Sequence, residues 1–193
     1  MAAVLIRLRE HAADRIASQV PGSAESATLS APAAPEEAVT LLEANDFDGS
    51  IAPVSRQLAL PQEAGARARV LLRQLLVDYA APESRHPLAS KEGAGVEEVF
   101  FMPTPRTGNA DAEKSAPSGQ TAVVNLTAAF ADNHPSGIEA ETLTLLSIIG
   151  TLHENFPAVN QVRFLVDGQP RETLAGHADL TRTYLAGAGE GRP

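Results

Sequence analysis

An α-helix with apolar side chains over more than half of its circumference is buried more deeply than one with a single stripe, so the rest of its fold must be arranged around it. The segment Ile138 to Phe156 reads as such a helix. Leu143, Leu145, Leu146, Ile148, Ile149 and Leu152 are spread around it, and Pro157 marks its end. Its neighbours in sequence read as strands. Thr121-Ala-Val-Val-Asn-Leu-Thr127 precedes it, with a break from Phe130 to Ser136, and Val159 to Asp167 follows with Val162, Phe164 and Val166 among its apolar residues. Gly168 turns the chain into a short closing segment anchored by Leu174, Leu180 and Tyr184.

The preceding half contains a second helix of the one-sided kind. Ala64, Ala68, Leu71, Leu72, Leu75 and Tyr79 form one apolar stripe, while Arg67, Arg69, Arg73 and Asp78 lie off it, the pattern of a helix lying on a sheet. Pro61 fits its first turn, and Glu63 suits the positive end of the helix dipole. Before it, Ala38 to Ala44 and Val54 to Leu60 flank Asn45-Asp-Phe-Asp-Gly-Ser50, a run of turn residues, and together predict a β-hairpin. After it, Ala81 to Gly95 is polar and Pro-containing, Val96 to Met102 is a strand ended by Pro103, and Thr104 to Gln120 is expected to be a mobile hairpin tip.

The order strand, strand, helix, strand, strand, helix, strand predicts the α/β (α+β) class. We expect a single small domain over residues 38–185, with two helices packed on a mixed sheet of about four to five strands. Residues 1–37 are expected to be a helix-like segment, Val4 to Val20, and a disordered linker rich in Pro, Ser and Ala; residues 186–193 are expected to be a disordered tail. A chain of 193 residues, 44% hydrophobic and 20% charged, suffices for one domain with flanking segments. With 4% aromatic residues and no Trp, its core must be aliphatic.

The net charge of −9, with fifteen Lys and Arg scattered along the chain, argues against a nucleic-acid footprint and against tight binding to anionic lipid. The absence of Cys excludes disulfides, thiolate zinc sites, cysteine nucleophiles and a lipid-modified N-terminal Cys, without settling the compartment. No run reaches the roughly 20 apolar residues of a membrane-spanning helix. The apolar opening Met1-Ala-Ala-Val-Leu-Ile is cut short by Arg7, Arg9 and Glu10, too early for a signal peptide.

Catalysis would have to use His86, His134, His153 and His177 with carboxylates such as Asp132, Glu154, Asp167 and Asp179. None stands in a recognised spacing: there is no H-E-x-x-H, no G-x-S-x-G, no P-loop and no G-x-G-x-x-G after a strand. His134-Pro-Ser136 reads as helix-entry turn chemistry with Ser136 as a cap. His153 reads as a last-turn residue meeting the helix dipole, and His177 with Asp179 as a structural turn lacking a third metal ligand. No catalytic, cofactor-binding or metal residue is therefore assigned. Arg163 interrupts an apolar strand and points opposite to Val162 and Phe164. It reads either as part of a solvated sheet face or, with Arg56 on a neighbouring strand, as the mark of an open surface for a partner.

Several blocks resemble the GerMN domain of spore germination and sporulation proteins. They are Ala122-Val-Val-Asn-Leu-Thr, Glu141-Thr-Leu, Ser147-Ile-Ile-Gly-Thr-Leu, Phe156-Pro, Val159, Val162-Arg-Phe-Leu-Val-Asp-Gly168 and Gly176-His-Ala-Asp-Leu180. Their order and spacing match throughout, and the resemblance extends back to Ala38 on element order. It implies a fold similar to the ring-building motifs of secretion and sporulation machinery. It also implies an extracytoplasmic, membrane-associated role in assembling or binding partners, with a cytoplasmic location as the alternative. Relatives of this kind are usually anchored or lipidated, and the opening here resembles a segment that follows an anchor. The expectation is a native start further upstream, which translating the upstream frame would check.

The leading functional expectation is a non-enzymatic interaction or assembly domain of the cell envelope, with a protein partner or self-association and no cofactor. The alternative is a ligand-binding module for a cell-wall fragment or small molecule. A hydrolase, the third class, would require at least two of His134, His153 and His177 to converge with a carboxylate.

Overall fold

The computed structural model describes residues 35–89, 95–104 and 119–187. The expected helix over Val4 to Val20, the linker after it, most of the hairpin tip and most of the tail lie outside these residues. Strand β1, Glu36–Asn45, pairs antiparallel with β2, Ser50–Ala59, in a register running from Glu36↔Ala59 to Asn45↔Ser50. The turn is built by its own side chains. Asn45 Oδ1 accepts the Phe47 N–H, Asp48 Oδ1 accepts the Ser50 N–H, and Gly49 supplies the φ of +69°.

The hairpin forms a sheet of its own rather than joining the other strands. Along the far edge of β1, helical side chains take the place of a neighbouring strand. Asn155 accepts from Thr40 N at 3.3 Å and donates to Thr40 O at 2.6 Å, Thr151 Oγ1 accepts from Leu42 N at 2.9 Å, and the Tyr79 hydroxyl accepts from Ala44 N at 2.8 Å. Buried main-chain donors must be satisfied, and these three residues do so without a strand. Burial pushes the Tyr79 hydroxyl up to about 12, so it remains protonated. Because Leu42 turns its N–H toward the helix, Pro53 opposite it faces the free edge of β2, where its missing N–H blunts pairing.

Helix α1 spans Ala64–Ala80. It starts after Pro61 because Glu63 is its N-cap, with its carboxylate accepting from Gly65 N and Ala66 N. Its predicted stripe is buried at Ala68, Leu71, Leu72, Leu75 and Tyr79, joined by Leu76. Strand β3, Val96–Pro103, pairs antiparallel with β4, Gln120–Leu126, and β4 pairs parallel with β5, Val159–Val166. The two-residue β6, Tyr184–Leu185, closes the edge, giving a mixed sheet of order β3-β4-β5-β6.

The parallel crossover carries two helices. Short α2, Ala128–Asn133, fills the expected break, started by Thr127 Oγ1 accepting from Phe130 N and by Asp167 Oδ1 accepting from Ala128 N. Helix α3, Ile138–Asn155, is the expected central helix. It buries Leu143, Leu145, Ile148, Ile149 and Leu152, while Leu146 faces outward. It lies so close to β1 that a Cβ at Gly150 would stand 3.0 Å from the Leu42 side chain. The core is aliphatic, with Leu41, Leu60, Leu72, Leu75, Leu126, Leu145, Ile148 and Leu174 all fully buried. Each contributes roughly 2 kcal/mol of transfer free energy.

Candidate functional site

The turn between β1 and β2, the loop after α1, and the start of α3 meet at one end of the domain, where a polar chain runs through the interior. Asp46 Oδ1 lies 2.5 Å from His86 Nδ1, His86 Nε2 lies 2.7 Å from Thr144 Oγ1, and Thr144 Oγ1 lies 2.8 Å from His134 Nε2. His134 Nδ1 ends the chain 2.8 Å from the Pro135 carbonyl. That carbonyl only accepts, so the His134 proton sits on Nδ1 and Nε2 is left as an acceptor beside the Thr144 hydroxyl, whose single proton is also directed at the Ala140 carbonyl 3.1 Å away. Burial lowers the His134 pKa, opposed by the Pro135 carbonyl, and the neighbouring His86 pushes in the same direction as burial.

Carboxylate, imidazole and hydroxyl in series have the connectivity of a nucleophile relay. However, Thr144 and His86 are completely buried, and a second imidazole occupies the hydroxyl. The arrangement ties four parts of the chain together and leaves no approach for a substrate to Oγ1. Two of the histidines singled out in the sequence, His86 and His134, are thus brought together. His153 instead donates from Nδ1 to the Val159 carbonyl at 2.9 Å, tying the end of α3 to β5.

The second cluster surrounds Glu141, whose side chain is fully buried. Its Oε2 accepts from the main-chain N–H groups of Ala175, His177 and Ala178, and its Oε1 accepts from Gly137 N and lies 2.9 Å from His177 Nδ1. Burial raises the pKa of such a carboxyl, but here the converging hydrogen bonds overcome it and hold Glu141 at about 2. One side chain therefore binds the Gly176-His-Ala-Asp-Leu180 loop to the start of α3. Ser136, expected to cap that helix, makes no cap bond. The N-cap is Gly137, and Ser136 Oγ stands 3.4 Å from His177 Nδ1. The serine and the glutamate address the same ring nitrogen, so the trio cannot pass a proton from hydroxyl to carboxylate through the ring.

The other carboxylates considered are dispersed. Asp132 pairs with Arg171 at 2.7 Å, Asp167 starts α2, Asp179 accepts from Thr181, and Glu154 is exposed. Of His134, His153 and His177, only His177 meets a carboxylate. Among the described residues no three His, Asp or Glu side chains gather to hold a metal ion, and no helix is long and apolar enough to cross a membrane. Sequence reasoning missed Asp46 and Thr144 and saw Glu141 only as part of a family block. Their partners lie 40, 58 and 36 residues away, and no local pattern signals such contacts.

Arg163 and Arg56 are not on neighbouring strands, since β2 belongs to the separate hairpin sheet. Arg56 is held between Glu43 and Asp78 at 2.8 and 3.0 Å. Arg163 lies exposed on the outer face of the four-stranded sheet, the side opposite Ala122, Val124, Val162 and Phe164 in the core. Phe100 and Met102 share that face, 53% and 45% exposed, with Val123 and Leu165 half-buried between strands.

A hairpin and a mixed sheet locked to two long helices, with buried polar groups engaged in holding loops, define a small α+β domain. The chain belongs to the Germane family, described as "Sporulation and spore germination", whose model matches residues 37–172. No curated protein matches it. Among solved structures it is similar to the first GerMN domain of the sporulation protein GerM from Bacillus subtilis, at 14% identity and a TM-score of 0.38, covering 78% of this chain and 97% of that one. It is also similar to a candidate lipoprotein from Clostridium perfringens, at 16% identity and a TM-score of 0.34, covering 78% and 88%.

Proposed function

We propose that this domain is a non-catalytic interaction module that works in assembly at the cell envelope, in sporulation, germination or related cell-wall machinery. The supporting observation is the outer sheet face, where Phe100 and Met102 stand more than two-fifths exposed beside the exposed Arg163. Large apolar side chains clustered on one face of a folded domain are the mark of a surface that a protein covers. Membership of a family described by sporulation and spore germination supports that setting, and the engaged histidines and carboxylates favour binding over chemistry.

The test is photo-crosslinking in the native host from a reactive residue introduced at Phe100, compared with one at Ser55 on the free edge of the hairpin. A discrete adduct from position 100 and none from position 55 is expected. Equal labelling at both positions, or none at 100, overturns the reading.

A further inference from the structure

We propose that the outer face of the four-stranded sheet packs against the same face of a second copy, about a two-fold axis running along the strands. This rests on the reading of that face as an interaction surface and names its occupant. The register sets three rows across the face: Glu98↔Asn125↔Leu165, Phe100↔Val123↔Arg163, and Met102↔Thr121↔Gln161. An irregularity between Val96 and Glu98 places two residues opposite Asn125. Glu98 turns to Arg69 of α1, whereas Glu97 stays on the open face, accepting from Asn125 Nδ2 at 2.6 Å. The face therefore carries an acid on β3, a cation on β5, and Val123 with the Phe100 ring between them.

Neither charge is matched within the described residues: Glu97 bonds an amide, and Arg163 makes no ion pair. A two-fold axis along the strands lays β3 of one copy over β5 of the other. Phe100 of each copy then covers Arg163 of its mate, a cation against a ring face, and Glu97 falls one row, about 7 Å, from that guanidinium. The arginine stem spans such a distance while its methylenes lie on apolar surface. Every contact occurs twice, as a closed two-fold interface requires, in the aligned face-to-face packing that sheets adopt.

Other occupants fit less well. An added strand needs a free edge, but along β3 that edge is covered by α1: Arg73 Nε donates to Val96 O, Arg69 Nη1 to Glu97 O, and Gly65 lies against the Val99 carbonyl. A net charge of −9 argues against a phosphate backbone.

Sedimentation equilibrium of the full chain and four variants decides the matter, with far-UV circular dichroism and thermal melting to confirm folding. The wild type self-associates. Arg163→Glu and Glu97→Arg each weaken association by about tenfold or more, because each places like charges opposite one another twice. The double variant, Glu97→Arg with Arg163→Glu, exchanges the charges and restores association to within about threefold of wild type. Phe100→Asp abolishes it. A wild type that stays monomeric at every concentration overturns the inference, while a crosslink from position 100 in cells would leave the interaction reading standing with another protein as partner. Singles that weaken association without rescue by the double variant also overturn it, because the face would then meet a different surface.

Discussion

At the scale of single residues, Glu141 shows how strongly local charge in this protein depends on folding. Its carboxyl sits at about 2 against an ordinary value of 4.5, because the hydrogen bonds it accepts exist only in the folded chain. A depressed folded-state pKa contributes stability that is present above 4.5 and lost as pH falls toward 2, a difference of roughly 3 kcal/mol. Denaturant titrations from pH 6 down to 2 are expected to show that loss. In Glu141→Gln the loss is largely absent, and stability at neutral pH is already lower by roughly 2–4 kcal/mol. His134 behaves in the same sense at higher pH. Its pKa lies below 6.5, so the stability it contributes as a neutral acceptor is present above that value and declines as pH falls below it. Thr144→Val leaves both Nε2 atoms facing a methyl group and is expected to lower stability by roughly 2–3 kcal/mol, measured by urea unfolding at pH 7.5.

At the scale of elements, the pattern of Leu71, Leu72 and Leu75 and the alternation in β5 were readable from sequence, because side-chain periodicity follows directly from helix and strand geometry. A proline suits a first turn and so draws the expected start of α1 to Pro61, whereas the carboxylate of Glu63 caps the main chain and starts the helix at Ala64. Gly65 gives no local reason for its presence, yet a Cβ there would overlap the Val99 carbonyl. Gly65→Ala is therefore expected to destabilise the domain by about 2 kcal/mol, against the roughly 1 kcal/mol that alanine gains in a free helix. Chemical denaturation of the variant gives the sign.

For the whole molecule, the hairpin is bound to the core through Asn155, Thr151 and Tyr79, so it should not open by itself. Native-state hydrogen exchange is expected to give the Thr40, Leu42 and Ala44 amides the same opening free energy as the middle of α3. In Thr151→Val the Leu42 amide alone is expected to exchange faster. The α+β class, the order of elements, the aliphatic core and the family blocks all follow from periodicity, turn residues and composition, which are properties of neighbours along the chain. The partition into two sheets, the clamp from Asp46 to Pro135, the anchoring of the 174–178 loop by Glu141, and the separation of Arg56 from Arg163 do not follow. They depend on which distant groups the packed layers bring within 3 Å or so of one another, and hydrogen-bond partners tens of residues apart are selected only when those layers close.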